Sequence, residues 1–252
     1  MITVVAPHAR PAFAQNLLEA YRRQRENVEC RLVVVENGAA LGQFPETARG
    51  ERVTVLQSEP HQADAMNVAL AWLRKNGGGA WARFDDDDYY GSGYLRDVEA
   101  TLLRTGADVV GKPWSFVMFD DGLWRFSLGR NEQWADGFGF TGGTLAAPSA
   151  DVVDFARRLD DDLQFCRDMR ERGARLWSGC RWHYCYDRRT RADRRVWPAQ
   201  PVAARKSFGG AAEYYGTVAI GAVDQAELAP ERLVDEPTMQ AVGVELRGEQ
   251  WA

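Results

Sequence analysis

Four consecutive aspartates, Asp85 to Asp88, stand between the strand-like segment Ala80–Phe84 and the pair Tyr89-Tyr90. Adjacent carboxylates repel one another, so such a run has a stability cost that divalent cations commonly offset. Hard oxygen ligands suit Mg2+ or Mn2+. In extended backbone Asp85 and Asp87 point to one side, roughly 7 Å apart. One can then bind a metal while the other holds the ribose of a nucleotide. The competing reading is a solvated acidic loop after a strand.

The sequence before the acidic run predicts where it sits. Ile2–Ala6 is a β-rich segment stopped by Pro7, and Pro11 suits the first turn of a helix, where its missing N–H costs little. Phe13, Leu17, Ala20 and Tyr21 follow at helical spacing, and Arg22, Arg23 and Arg25 crowd the end where the helix dipole favours cations. Arg31–Val35 is apolar without alternation, as expected of a strand covered on both faces, and Asn37-Gly38 closes it. Val53–Leu56 reads as a strand, and Ala65, Met66, Ala69, Leu70 and Leu73 form a helical stripe ending at Gly77-Gly78-Gly79. Strand and helix alternating at this spacing imply parallel βαβ units with right-handed crossovers. Ligands of such open sheets gather at the carboxyl ends of strands, where both Glu36 and the acidic run fall.

The second half is less regular. Tyr94–Leu103 reads as a helix, Ala107–Gly111 as a strand, and Ser115–Phe119 with Leu123–Ser127 as a hairpin about Asp120-Asp121-Gly122. Ser149 or Asp151 is expected to cap a helix running to Leu159. Asp161 or Asp162 would cap the next, which ends at Gly173.

Several classes are excluded. No window approaches eighteen consecutive apolar residues, which argues against a membrane-spanning helix. Cys30, Cys166, Cys180 and Cys185 are too few and scattered for a disulfide framework in 252 residues, and no CxxC pair suggests zinc. With no signal-peptide pattern at the start, a cytoplasmic location is expected. Thirty-one basic against 36 acidic residues give a net charge of −5, which disfavours a general nucleic-acid binder. Charge is uneven, however. Arg181–Arg195 holds six arginines against Asp187 and Asp193, interleaved with Trp182, Tyr184 and Tyr186. That pattern fits a lid over a diphosphate, or less readily a nucleic-acid surface. Neither a G-x-S-x-G elbow nor a GxxxxGK[ST] loop occurs.

In order and at sensible spacing, the segments VVAPHARP, RLVVVENG, HQADAMNVAL, WARFDDDDYYGSGYL, VVGKPW, TGGTL, DDLQF and YCYDRR…RRVW resemble the family 2 glycosyltransferases of GT-A fold. The resemblance covers about residues 1–197. It implies an α/β, Rossmann-like sandwich with a mostly parallel central sheet. Residues 1–112 would be its nucleotide-binding half and 113–197 its acceptor half, leaving 198–252 as an appendage without an assigned role. It also implies transfer of a sugar from a nucleotide diphosphate donor, UDP favoured, to an acceptor hydroxyl with inversion, helped by Mn2+ or Mg2+.

Residue by residue, the resemblance places Pro7, His8, Arg10 and Glu36 around the nucleoside, although the family usually has Asp where Glu36 stands. Asn67 falls at the asparagine of the family's "RN" helix, with Met66 in place of the basic residue. Asp85 and Asp86 would approach the nucleotide-sugar and Asp87 would ligate the metal. Gly142 and Gly143 would lie beneath the acceptor. Asp162 would be the general base, with Asp161 the runner-up; the competing reading is simple helix capping, which explains either residue without catalysis. Arg188, Arg189 or Arg195 would face the diphosphate, and Trp197 the acceptor. Arg195 stands where several relatives have a metal-binding histidine, so Asp87 and phosphate oxygens would hold the metal alone, or with His183.

The resemblance leaves the acceptor open among glycan, lipid-linked sugar, protein side chain and modified nucleic-acid base. Two other readings compete. A nucleotidyltransferase would need a glycine-rich N-terminal loop, which VVAPHARP lacks. A non-catalytic sugar-nucleotide binder fits the departures at Glu36, Met66 and Arg195.

Overall fold

The computed structural model describes residues 1–45, 48, 51–112, 116–120, 122–126, 131–137, 139–158, 161–189, 212–214, 220–224 and 232–234. Strand β1 (Ile2–His8) is buried along its whole length. A 3-10 turn opened by Pro11 then leads into α1 (Ala14–Arg25), whose last turn carries Arg22, Arg23 and Arg25. Next come β2 (Cys30–Glu36), β3 (Val53–Gln57) and α2 (Gln62–Lys75). The His61 ring caps α2 by accepting from the Ala63 N–H at 3.1 Å. β4 (Trp81–Arg83) precedes the acidic run, and β5 (Tyr89–Tyr90) follows it. Helix α3 (Tyr94–Thr105) ends at Gly106, whose φ of 61° lies in the left-handed region that glycine tolerates.

The remaining elements are β6 (Val109–Gly111), β7 (Phe116–Phe119), β8 (Gly122–Phe126), β9 (Gln133–Trp134), β10 (Ala146–Ala147), α4 (Asp161–Glu171), β11 (Leu176–Ser178), β12 (Tyr184–Asp187), β13 (Ala212–Tyr214) and β14 (Arg232–Val234). Among the described residues the larger sheet runs β3-β2-β1-β4-β10-β6-β11-β9. Its pairs β1·β2, β2·β3, β1·β4 and β6·β11 are parallel, whereas β10 and β9 pair antiparallel. This is the expected α/β, Rossmann-like arrangement of the GT-A fold, with a mostly parallel central sheet.

Both faces of the sheet are covered, which explains the unbroken apolar run in β2. Val4, Leu32, Val34 and Phe84 pack on the side of α1 and α3. Val5, Val33, Val35 and Trp81 pack on the side of α2 and α4. The parallel register aligns His8 with Glu36, so the ends of β1 and β2 arrive together, with the acidic run beside them after β4.

The expected helix through Leu159 is not formed over residues 151–158. Its backbone is claimed by side chains from α2. Asn67 binds both the N–H (2.7 Å) and the C=O (2.9 Å) of Phe155, while Arg74 takes the carbonyls of Ala150 and Val152. Groups held this way cannot enter an i→i−4 ladder.

The smaller sheet runs β14-β13-β8-β7-β12-β5. Two of its strands come from residues 198–252, which the sequence leaves as an appendage. A 3-10 turn at Ile220–Asp224 also comes from there and inserts Val223, fully buried, among Phe116, Met118, Leu123 and Cys185. No helix among the described residues is long and apolar enough to cross a membrane. We predict that Val223→Asp, which buries an unpaired charge in that cluster, lowers unfolding free energy by about 3–5 kcal/mol. Urea denaturation of the full chain measures it.

Candidate active site

The acidic run leaves β4 through Phe84, whose N–H still donates to the Val5 carbonyl at 2.9 Å, and then turns at Asp86-Asp87. Exposure alternates along it. Asp86 and Asp88 are buried (3% and 2%), while the side chains of Asp85 and Asp87 keep 23% and 13% exposure. The turn is anchored from below by donors. The Asn16 amide donates to the carbonyls of Asp86 (2.7 Å) and Asp88 (3.2 Å). Phe84 and Tyr90 stack at 3.8 Å, and the Tyr90 hydroxyl accepts from the Asp85 N–H (2.7 Å) while donating to the Gly143 carbonyl (2.8 Å).

Each carboxylate has its own partners. His8 Nδ1 lies 2.8 Å from Asp86, and Arg10 reaches both Asp86 (2.5 Å) and Asp87 (3.0 Å) while lying over the Phe13 ring. Asp88 accepts from the Tyr184 hydroxyl (2.6 Å) and the Asp187 N–H (3.2 Å). Burial, reinforced by the charges of Asp87 and Asp85, holds the Asp88 carboxyl well above the usual carboxylate range. Asp85 accepts from Arg83 Nε at 3.0 Å.

On the other side of Arg83 stands the first turn of α4, carrying Asp161 and Asp162. Arg83 Nη1 lies 3.7 Å from Asp161 Oδ2. Asp162 is partly exposed and accepts from the Leu163 N–H at 2.8 Å. Its carboxyl is pushed up to about 6, by burial first and by the Asp161 and Asp85 charges after it, against the pull of Arg83. Burial also raises Asp161. The arrangement therefore offers a carboxylate that exchanges a proton near neutral pH, on a helix end facing a cluster of fixed charge.

Other residues singled out by sequence take varied places. Pro7 and His8 end β1 beside the acidic turn, and His8 Nε2 is buried without a hydrogen-bond partner. The Glu36 carboxylate accepts from the N–H groups of Gly42 (2.9 Å), Gln43 (2.9 Å) and Phe44 (2.6 Å), so it shapes the following loop. Asn67 holds residue 155, as described above. A Cβ on Gly142 would stand 3.0 Å from the Arg83 guanidinium, and one on Gly143 2.6 Å from the Tyr90 hydroxyl and 3.1 Å from Asp85. The pair thus lets its turn close directly onto the acidic run.

The segment rich in arginine divides its work. Arg189 forks onto Asp187 at 3.0 and 2.7 Å, whereas Arg188 lies 3.4 Å over the Tyr186 ring and faces Asp88 electrostatically. His183 packs against Gly93 and pairs with Asp224 at 3.1 Å. Arg195 and Trp197 fall outside the described residues. Sequence reasoning passed over Arg83, Tyr90 and Asn16. The available signal was Arg83 itself, a charged residue inside a short strand, two positions before Asp85. Among the described residues no group of three or more His, Cys, Asp or Glu is arranged to hold a metal ion.

In fold the chain resembles the GT-A glycosyltransferases. Crystal structures of residues 1–349 of S. aureus TarS match it with a TM-score of 0.55 at 19% identity, over 74% of this chain and 60% of that one. The complex with UDP matches at 17% identity with the same coverage. The complex with UDP-GlcNAc matches at 18% identity, over 82% of this chain and 65% of that one. This chain thus spans less than two thirds of the TarS fragment, and at these identities the likeness concerns the fold. No protein-family model matches the sequence, and neither does any curated protein.

Because the Gly143 turn seats against Tyr90 and Asp85, Gly143→Ala should cost about 1–3 kcal/mol through overpacking. Thermal unfolding should show it as a lowered Tm, and relieving the clash with Tyr90→Phe in the same chain should recover part of the loss.

Proposed function

We propose that the protein is a glycosyltransferase that takes a nucleoside diphosphate sugar, a UDP-sugar by preference, and transfers the sugar with inversion to an acceptor hydroxyl. The observation that carries this reading is the juxtaposition, through Arg83, of the partly exposed Asp85–Asp87 edge and the titratable Asp162. It occurs in a fold whose solved examples include TarS bound to UDP and to UDP-GlcNAc.

In this mechanism Asp85 orients the donor ribose. Arg10, part-exposed beside Asp87, and Arg188 stand to neutralise the departing diphosphate. Asp162 accepts the proton of the acceptor hydroxyl as its oxygen attacks the anomeric carbon and the bond to the diphosphate breaks. With a carboxyl near 6, Asp162 is mostly ionised at neutral pH yet basic enough to act.

The residues present fit a divalent cation in a limited way. Asp87 offers a partly exposed hard oxygen donor, though among the described residues no group of three or more His, Cys, Asp or Glu is arranged around a metal position. Mn2+ or Mg2+ held by Asp87 and the donor's own phosphates would supply charge neutralisation of the leaving group. A non-catalytic sugar-nucleotide binder is the second reading, favoured by the pairing of both Asp85 and Asp87 with arginines.

Two experiments test the proposal. In a panel of UDP-, GDP- and dTDP-sugars, a UDP-sugar with Mn2+ should give the largest rise in Tm, and Asp87→Ala should remove the metal-dependent part. Asp162→Asn should reduce transfer, or donor hydrolysis in place of an acceptor, on the order of a hundredfold or more. Wild-type rate should fall as pH drops through about 6, where the base becomes protonated. The sign for stability is opposite to that of a paired carboxylate. A carboxyl raised by folding binds its proton preferentially in the native state, so its ionisation removes stability between the ordinary aspartate range and about 6. Asp162→Asn should therefore melt no lower than wild type at pH 7. Binding without turnover in wild type would select the second reading.

A further inference from the structure

Strand alternation puts Trp81, Arg83 and Asp85 on one face of the larger sheet. Trp81 meets Phe165 of α4 edge-on at 6.3 Å in the apolar core, so the next position on that face invites another apolar side chain. Arg83 stands there instead, only 2% exposed. Its Nε donates to Asp85, and its Nη1 is turned toward Asp161. Nη1 and the facing Asp161 Oδ2 are both buried and have no hydrogen-bond partner. Gly142 closes over the guanidinium, where a Cβ would stand 3.0 Å from it. A buried guanidinium needs carboxylates, and carboxylates from two separate elements share this one.

We propose that Arg83 is a positioning residue for both halves of the transfer, fixing Asp85 toward the donor and the Asp161–Asp162 pair toward the acceptor through one buried guanidinium. The names of the two substrates rest on the glycosyltransferase reading; the network itself does not. Asp162 is faced by Arg83 from β4, by Asp85 from the acidic turn and by Asp161 from its own helix, with His61 from the α2 cap acting on Asp161. Arg83 is the cation that opposes the burial of Asp162. It also does so with a planar fork, which lysine cannot supply. A donor carboxylate and the helix end that carries the acceptor base, both set against the same buried group, keep a fixed separation, as an in-line displacement demands.

The test needs no substrate. The aspartate carboxyl carbons of the full chain are titrated by 13C NMR, and the Asp162 resonance is identified by its loss in Asp162→Asn. Arg83→Met should move the Asp162 midpoint up by about 1–3 units, and UDP affinity should fall as Asp85 is released. Arg83→Lys should restore most of the midpoint and less of the affinity. A buried cation that only offsets charge would move the midpoint without releasing Asp85, so an unmoved midpoint or an unchanged UDP affinity in a folded Arg83→Met chain overturns the proposal. If that variant fails to fold, Asp85→Asn decides. Removing that negative charge leaves the guanidinium to Asp161 and Asp162, so the midpoint should drop, and an unmoved midpoint overturns the proposal. Shifts in a protein that turns over no nucleotide-sugar would refute the glycosyltransferase reading alone. Turnover without shifts would refute the role of Arg83 alone.

Discussion

Carboxylates are concentrated at the end of β4 beyond what their own solvation would favour, and much of the local structure answers that charge. Arg10 and His8 come from the end of β1, Asn16 from α1, Tyr184 and the Asp187 N–H from β12, and Arg83 from β4 itself. Each satisfies an oxygen that would otherwise be buried unpaired, which is among the costlier defects a fold can carry. Asp85 and Asp87 stay partly exposed although each is paired with an arginine, and near α4 burial holds the Asp162 carboxyl above the usual aspartate range.

The second sheet matters to this arrangement more than its size suggests. β5 and β12 are two of its strands, and they flank the acidic run on the far side from β1. They are braced by the 3-10 turn at Ile220–Asp224, where Asp224 accepts from the Tyr89 hydroxyl at 2.8 Å and pairs with His183. His183 adopts φ 67°, uncommon for a side-chain-bearing residue, and its N–H donates to the Val223 carbonyl at 3.1 Å. Gly91 and Gly93 leave the space that Asp224 and the His183 ring occupy. Distant chain segments thus hold β5, and β5 holds the end of the acidic turn.

Much of the fold was legible in the sequence because the signals were local. The apolar run in β2, the stripe on α2 and the Pro11 entry to α1 each report an element from its own residues. The acidic run and the pair Asp161-Asp162 were visible as clustered carboxylates for the same reason. The helix expected before Leu159 was not, since Asn67 and Arg74 claim that backbone from a distant element. Glu36 and the glycine pair were visible as residues of interest, yet their partners are backbone N–H groups and side chains that no spacing rule names.

The sequence by itself determined which carboxylates exist, that they follow a strand in a βαβ pattern, and hence that they gather at one edge of a parallel sheet. Tertiary structure alone decided which of them reach the surface. Asp86 and Asp88 are turned inward and consumed by His8, Arg10 and Tyr184, while Asp85, Asp87 and Asp162 keep a share of the surface. Ionisation depends on burial and on charges within a few ångströms, and those distances are set by packing between elements far apart in the chain.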